Sequence, residues 1–409
     1  MKNKPLLTSQ NPWTGIMGGI VGLAIAIVLS IQLDSRDWWG DNVNRYWLLY
    51  GVAGIVLLLM IFLDRLTMSL PMVIPSSPPP TRLFKRVTCR YLSLGMMMII
   101  ASCIYFVHPF YQTDFYKPFR SLFKLFILIY AVGGWPYIYW TLLRNPPSSV
   151  SDNALYPFAW CRHWKTIFRR RSRIVLLGFV VEGFYLPLMS VFLLGEFNQF
   201  SNAFHRLRFN EVSGFIKHET IYAMGYHGMY YIDALLAMIG YFSASRWLGN
   251  KIRSVDLTVL GWASALSCYP PFNGLTDTYF PWPSHDDAYL IIQSHWIRDL
   301  LMGAILSLTA IYVLATMMFG LRFSNLTNRG ILDRGPYAWV RHPAYAAKNI
   351  SWWLESLPWF GNLGNILGIV GWSAIYVVRT WTEERHLGSD SSYLAYKAKV
   401  RYRFIPGVY

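Results

Sequence analysis

LLMGAILSLTAIYVLATMMFGL, residues 300–321, contains no charged side chain and no proline. A helix of that length rises about 33 Å at about 1.5 Å per residue, and the hydrocarbon core of a bilayer is about 30 Å thick. The run is therefore read as a helix that crosses a membrane. Comparable runs lie at approximately 15–33, 46–63, 91–107, 121–143, 174–194, 221–243 and 257–272 before it, and at 344–360 and 363–381 after it. The seventh is short, and the last two form a tight hairpin around Gly361-Asn362. Composition agrees. The 409 residues are 54% hydrophobic, 17% aromatic and only 14% charged, whereas about a quarter of a soluble domain is charged. The expected fold class is all-α, a polytopic helical membrane protein with about ten transmembrane helices.

The net charge of +16 sits between the apolar runs. Lys2 and Lys4 precede the first run, and Arg65, Arg82, Lys85, Arg86 and Arg90 follow the second. Arg144, Arg162, Lys165 and Arg169–Arg173 follow the fourth, Arg246, Lys251 and Arg253 the sixth, and Arg322, Arg329, Arg334 and Arg341 the eighth. The alternate loops carry acids instead, with Asp34, Asp37 and Asp41 in the first and Asp277, Asp286 and Asp287 in the seventh. Basic loops stay on the cytoplasmic side, so ten spans with both termini cytoplasmic make the alternation consistent. No basic stripe interleaved with aromatics lies outside this pattern, which argues against a nucleic-acid partner. MKNKPLLTSQNPWTG (1–15) reads as a short basic leader without a small-residue cleavage site. IPSSPPPTR (74–82) reads as a stiff connector. RRRSR (169–173) reads as a topology anchor or a contact for anionic lipid headgroups. Cys89, Cys103, Cys161 and Cys268 form neither a CxxC pair nor a metal-ligand spacing.

Two local patterns look more informative than they are. GGIVG (18–22) lacks the strand-to-helix context of a dinucleotide loop and suits close helix packing. SHDD (284–287) has no further ligands at metal-site spacing, and no metal is expected. Ionisable groups inside spans are costly and face the bundle interior or a wet cavity. Glu182, His227, Asp233 and Glu355 are such groups, either as satisfied interior polar residues or as functional ones.

The chain divides by character. Residues 1–295 form an N-terminal membrane module of about seven spans with few polar motifs, and residues 296–409 form a core dense in polar and aromatic residues at span ends, with a C-terminal cytoplasmic tail. In GPYAWVRHPAY (335–345), Gly335-Pro336 is a turn signal and Pro343 suits the first turn of a helix. Arg341 and His342 next to that helix N-terminus make an anion site, with Tyr337 and Tyr345 beside it. RTWTEERHL (379–387) places Glu383 and Glu384 at the end of the last span, on the same membrane face, and YLAYKAKVRYRFIPGVY (393–409) alternates Tyr393 and Tyr396 with cations. An anion site and a carboxylate pair suit a zwitterion with an aromatic ring and ribose hydroxyls, such as S-adenosylmethionine. A belt that binds lipid headgroups would use similar residues.

GPYAWVRHPAY, the hydrophobic hairpin, TEERHL (382–387) and YLAYKAKV (393–400) together resemble the isoprenylcysteine carboxyl methyltransferase family over roughly residues 300–409. The resemblance implies an integral membrane enzyme that binds S-adenosylmethionine on the cytoplasmic face and takes a lipophilic acceptor from the lipid side, such as the carboxylate of an isoprenylcysteine-like molecule. It implies Arg341, His342, Tyr345, Glu383 and Glu384 as cofactor residues, with Tyr337, Tyr393 and Tyr396 behind them. A carboxylate acceptor needs a cation to hold it, for which Arg379 and then Lys348 are expected. An amine or hydroxyl acceptor needs a base, for which Glu355 is nearest in sequence. Ala347 stands where the family often has glycine, and the family's members are shorter. The same pattern also resembles sterol reductases of the C14 type, which share the RHP-x-Y segment, about ten spans and an ending close to YRFIPGVY, and which use NADPH. A non-catalytic lipid-binding descendant is the third alternative.

Overall fold

Where the sequence is apolar over the width of a bilayer, the chain is helical. The computed structural model describes residues 13–33, 42–67, 80–144, 170–209, 213–243, 250–281 and 292–408. The helices are α1 (Trp13–Leu33), α2 (Asn42–Thr67), α3 (Pro80–Val107), α4 (Pro109–Gln112), α5 (Lys117–Arg144), α6 (Arg170–Arg208), α7 (Gly214–Phe242), α8 (Val259–Leu266), α9 (Asn273–Tyr279), α10 (His295–Phe319), α11 (Pro343–Ser356), α12 (Leu363–Leu387) and α13 (Ser391–Lys399). Two short strands, β1 (Ser254–Val255) and β2 (Thr327–Asn328), pair antiparallel. The protein is an all-α polytopic membrane protein. Among the described residues, seven helices are long and apolar enough to cross a membrane, within α1, α2, α3, α5, α6, α10 and α12.

Three of the ten expected spans differ from this set, each for a local reason. The sixth run is the 29-residue helix α7, but Asp233, His227 and Tyr222, Tyr226, Tyr230 and Tyr231 dilute its hydropathy. The seventh run folds as the eight-residue α8. Beyond it, Pro270 and Pro271 lack the N–H groups a continuing helix needs, and the chain turns into α9. The ninth run gives the 14-residue α11, about 21 Å long, which ends before the 3-10 turn Leu357–Trp359. Gly361 and Asn362 make the hairpin turn, with the Asn362 side chain accepting from Gly364 N–H at 2.8 Å to cap α12. Several sequence features lie outside the described residues. They are Lys2 and Lys4, the acids of the first loop, residues 74–79 of the proline connector, residues 162–169 of the basic loop, Arg246 and SHDD.

The core lies along the contact between α6 and α7, flanked by α1 and α10, with Tyr185, Leu193, Tyr231, Leu235 and Leu236 at its centre. GGIVG acts in packing. A Cβ on Gly18 would meet Met60 and Val56 of α2, one on Gly19 would meet Ile232 and Met317, and one on Gly22 would meet Leu235. Glu182 of α6 pairs with Arg329 at 3.1 Å, and Arg329 also donates to the Gly240 carbonyl of α7. The loop after α10 is thereby held to both central helices. Asp256 N–H donates to Leu326 O at 2.9 Å, and Leu326 has φ +61, a left-handed conformation that a branched side chain adopts at some cost.

Asp390 joins β2 to the last helix. Its side chain accepts from Ser392 N–H at 2.9 Å, capping α13, and from Asn328 Nδ2 at 2.8 Å. Burial alone would raise its pKa, but the Asn328 and Ser392 hydrogen bonds and the nearby Arg253 outweigh it, and the carboxyl sits below its ordinary value of 3.8. Asp390→Ala is expected to cost about 1 kcal/mol, as loss of a helix cap does. A depressed carboxylate stabilises above its unfolded pKa and loses that contribution as pH falls through the folded one. The gap between wild type and variant in thermal unfolding is therefore expected to be full at neutral pH and to close in strong acid.

Candidate active site

Helix α10 stops at Gly320, which has φ +51. The chain then loops through β2 and the 3-10 turn Gly335–Ala338. Pro343 occupies the first turn of α11, and His342 is its N-cap residue. α11 packs back on α10, and α12 returns beside α11.

The backbone just before α11 pairs with the C-terminal tail, with Arg341 N–H donating to Tyr402 O and His342 N–H to Arg403 O, both at 2.9 Å. The Arg341 guanidinium donates to the Val400 and Arg401 carbonyls and, through Nε at 2.8 Å, to Glu384 Oε1. Glu384, 5% exposed, also receives Arg403 Nη2 at 3.1 Å, lies 3.4 Å from Lys397 Nζ, and lies 3.3 Å from His342 Nε2. RHP and the second glutamate of TEERHL thus pair with each other. Arg341, expected to hold a ligand's carboxylate, has an internal carboxylate on it and clasps the tail.

Successive residues of a helix point about 100° apart, so Glu383 faces elsewhere. It lines a cavity of about 690 Å3 of atom-free space, together with Tyr337, Arg341, His342, Tyr345, Lys348 and Arg379 among the expected residues. Tyr269, Tyr312, Thr316, Phe319, Phe323, Ser324, Asn325, Ala344 and Tyr376 complete the wall. A second cavity of about 420 Å3 shares Ser324, Asn325, Tyr345, Arg379 and Glu383 with the first. Tyr345 donates its hydroxyl to Glu383 Oε2 at 3.0 Å, and the His342 ring stacks on Tyr345 with centroids 5.6 Å apart.

The electrostatics centre on Arg379, which is 5% exposed. It donates to Asn325 Oδ1 and lies over the rings of Tyr345, Tyr376 and Tyr269 at 5.2, 5.6 and 5.8 Å. Among the described residues no carboxylate pairs with it. Lys348 is similar, with its ammonium over Tyr312, Trp352 and Tyr230 at 4.9, 5.3 and 5.7 Å and no hydrogen bond among the described residues. Buried cations are ordinarily paired. Lys348 lies within electrostatic reach of Asp233 and Glu355, so Arg379 is the cation of this wall that has no carboxylate partner among the described residues and favours an anion.

The remaining expected residues lie elsewhere. Glu355 accepts from Ser351 Oγ at 2.8 Å and is outside the wall of either cavity. Tyr393 and Tyr396 pack with Tyr337, Ala315 and Met318, and Tyr396 donates to the Tyr337 carbonyl at 2.8 Å. Burial pushes both phenols well above their ordinary range, so they act here as neutral packing groups. Asn325 orients Arg379, and nothing in its local sequence marks it. The left-handed Leu326 beside it is visible only in the backbone.

Residues 296–389 match the model of the isoprenylcysteine carboxyl methyltransferase (ICMT) family. The ICMT match runs from the start of α10 to just past α12. It contains the clasp residues Arg341, His342 and Glu384, and Arg379, Lys348, Tyr345 and Glu383 of the cavity. No curated protein and no solved structure matches the chain.

Proposed function

We propose that the protein is an integral membrane methyltransferase that uses S-adenosylmethionine and acts on a lipophilic acceptor, with the donor site in the 690 Å3 cavity facing the cytoplasm. The observation that carries this reading is Arg379, a buried guanidinium of the ICMT-matched segment that has no carboxylate partner among the described residues. The donor set suits S-adenosylmethionine. Arg379 and Lys348 take the methionine carboxylate in place of Arg341, Glu383 takes the amine or a ribose hydroxyl, and Tyr337, His342 and Phe319 offer flat faces to the adenine. The cations around the clasp, Arg403 and Lys397, and Lys399, which pairs with Asp333 at 3.1 Å, support a cytoplasmic location for this end.

Bound there, S-adenosylmethionine supplies an electrophilic methyl group. The protein holds the two reactants in line and keeps water away, since orientation and desolvation are what a displacement at carbon needs. Arg379 fixes one end of the donor through a guanidinium already aligned by Asn325, so little reorganisation accompanies binding.

Titration calorimetry on the purified full chain in detergent tests the reading. S-adenosylhomocysteine is expected to bind in the micromolar range or tighter, and NADPH to give no heat. Binding of NADPH without S-adenosylhomocysteine would replace the methyltransferase with a reductase, and binding of neither would leave a lipid-binding protein.

A further inference from the structure

Tyr312 of α10 lies in the wall of the 690 Å3 cavity and donates its hydroxyl to Asp233 Oδ2 of α7 at 2.6 Å. The other oxygen of Asp233 is buried and makes no hydrogen bond among the described residues. α7 precedes the ICMT-matched segment, so an acid from the first part of the chain is coupled to the cavity through one phenol. Lys348 lies over the Tyr312 ring at 4.9 Å. Lys348, Glu196 and Thr316 are the other charged or polar groups acting on Asp233. Thr316, a hydrogen-bonding neighbour of Asp233, lines the same cavity as Tyr312, so the carboxylate is held at the cavity by groups that face it.

A phenol that has given its proton to a carboxylate keeps its oxygen lone pairs. An alcohol or an amine brings the O–H or N–H that can use them, whereas a carboxylic acid is ionised at neutral pH and brings none. We propose that Tyr312 and Asp233 form a proton relay for the acceptor, which is therefore a lipophilic alcohol or amine and not a carboxylic acid. The inference rests on the reading that the cavity receives a methyl donor. An acceptor oxygen or nitrogen lone pair forms the new bond to the methyl carbon as the carbon–sulfur bond breaks, its electrons remaining on the departing S-adenosylhomocysteine. The acceptor proton passes to the Tyr312 oxygen while Tyr312 passes its own proton to Asp233. The products are an ether or an N-methylated amine, with Asp233 protonated until it returns the proton to water. Tyr312 is then the catalytic residue that touches the acceptor, and Asp233 acts through it.

The test offers the full chain in detergent S-adenosylmethionine with dodecanol, dodecylamine or dodecanoic acid. Methyl transfer is expected to the alcohol or the amine and not to the acid, and the two productive arms tell hydroxyl from amine. Tyr312→Phe keeps the ring under Lys348 but breaks the relay. It is expected to lower kcat by about 100-fold or more, the scale of general-base catalysis, with S-adenosylhomocysteine affinity unchanged. Asp233→Asn is expected to behave alike. Methylation of dodecanoic acid at a rate indifferent to Tyr312→Phe overturns the inference, as does transfer to none of the three by protein that binds S-adenosylhomocysteine. Failure of the wild type to bind S-adenosylhomocysteine instead removes the donor reading itself, and this inference with it.

Discussion

Glu384→Ala is expected to unfasten the C-terminal tail. The substitution leaves Arg341, itself only 8% exposed, buried beside Arg403 with no carboxylate between them. Removing one partner of a buried pair costs roughly 3–5 kcal/mol, because the other charge remains and cannot be hydrated. The strain falls on residues 400–403, which are held by Arg341 and by the backbone bonds to Tyr402 O and Arg403 O. Limited proteolysis is expected to reach the tail in Glu384→Ala well before it does in the wild type, and the thermal midpoint in detergent is expected to fall. Glu384→Gln retains the shape and one acceptor, and should lie between. His342→Ala should be milder. Its side chain makes a single 3.3 Å contact with Glu384, whereas its N–H, which pairs with Arg403, survives the change. Wild-type tail protection in Glu384→Ala would show that the clasp is not what holds the tail. Loss of S-adenosylhomocysteine binding in this variant would accompany loss of structure, since Glu384 lies behind the cavity wall.

What the sequence made legible was whatever depends on near neighbours. The run at 300–321 needs only its own composition to be a helix. Pro343 and the turn signal Gly335-Pro336 mark a helix start with no help from elsewhere. Arg379 and Glu383 are four apart on one helix and so share a face, and both line the cavity. The limits appear where a partner is distant. That Arg341 sits by a helix N-terminus can be read locally, but whether a ligand or an internal acid neutralises it depends on a residue 43 positions away. Tyr312 looks like any aromatic in an apolar run, and its meaning comes from Asp233, 79 positions earlier. The span count strained for a related reason. α7 is buried in the α6–α7 core, where tyrosines and Asp233 find partners, so it does not need the hydropathy of a lipid-facing helix. Pro270-Pro271 was visible in the apolar run at 257–272, but a hydrophobic tally does not register a missing N–H.

Arg379→Ala is expected to abolish measurable S-adenosylhomocysteine binding while leaving the ligand-free protein close to wild-type stability. The pairing of outcomes is the point. Truncating one partner of a buried, hydrogen-bonded charge pair costs about 2–5 kcal/mol of binding, or roughly 30-fold to several thousand-fold in affinity at about 1.4 kcal/mol per tenfold. Without ligand, Arg379 has the opposite balance. Its burial carries a desolvation cost that no carboxylate among the described residues offsets, and what it gains is one hydrogen bond to Asn325 and the faces of three tyrosines. Desolvated ring contacts contribute about 2 kcal/mol each, against an effective penalty of several kcal/mol for a buried ion, so loss and relief nearly cancel. Arg379→Lys keeps the charge but loses the planar fork that meets a carboxylate in two places, and is expected to retain weak binding. A residue present for the fold would behave as Glu384 does, with its loss felt first in the melting curve. A residue present for a ligand's anion is silent there and felt only on titration. Calorimetry and thermal unfolding on the same preparation separate the two. Undiminished S-adenosylhomocysteine affinity in Arg379→Ala would mean that the unpaired guanidinium is not the anion site, and the donor would have to be held by Lys348 alone.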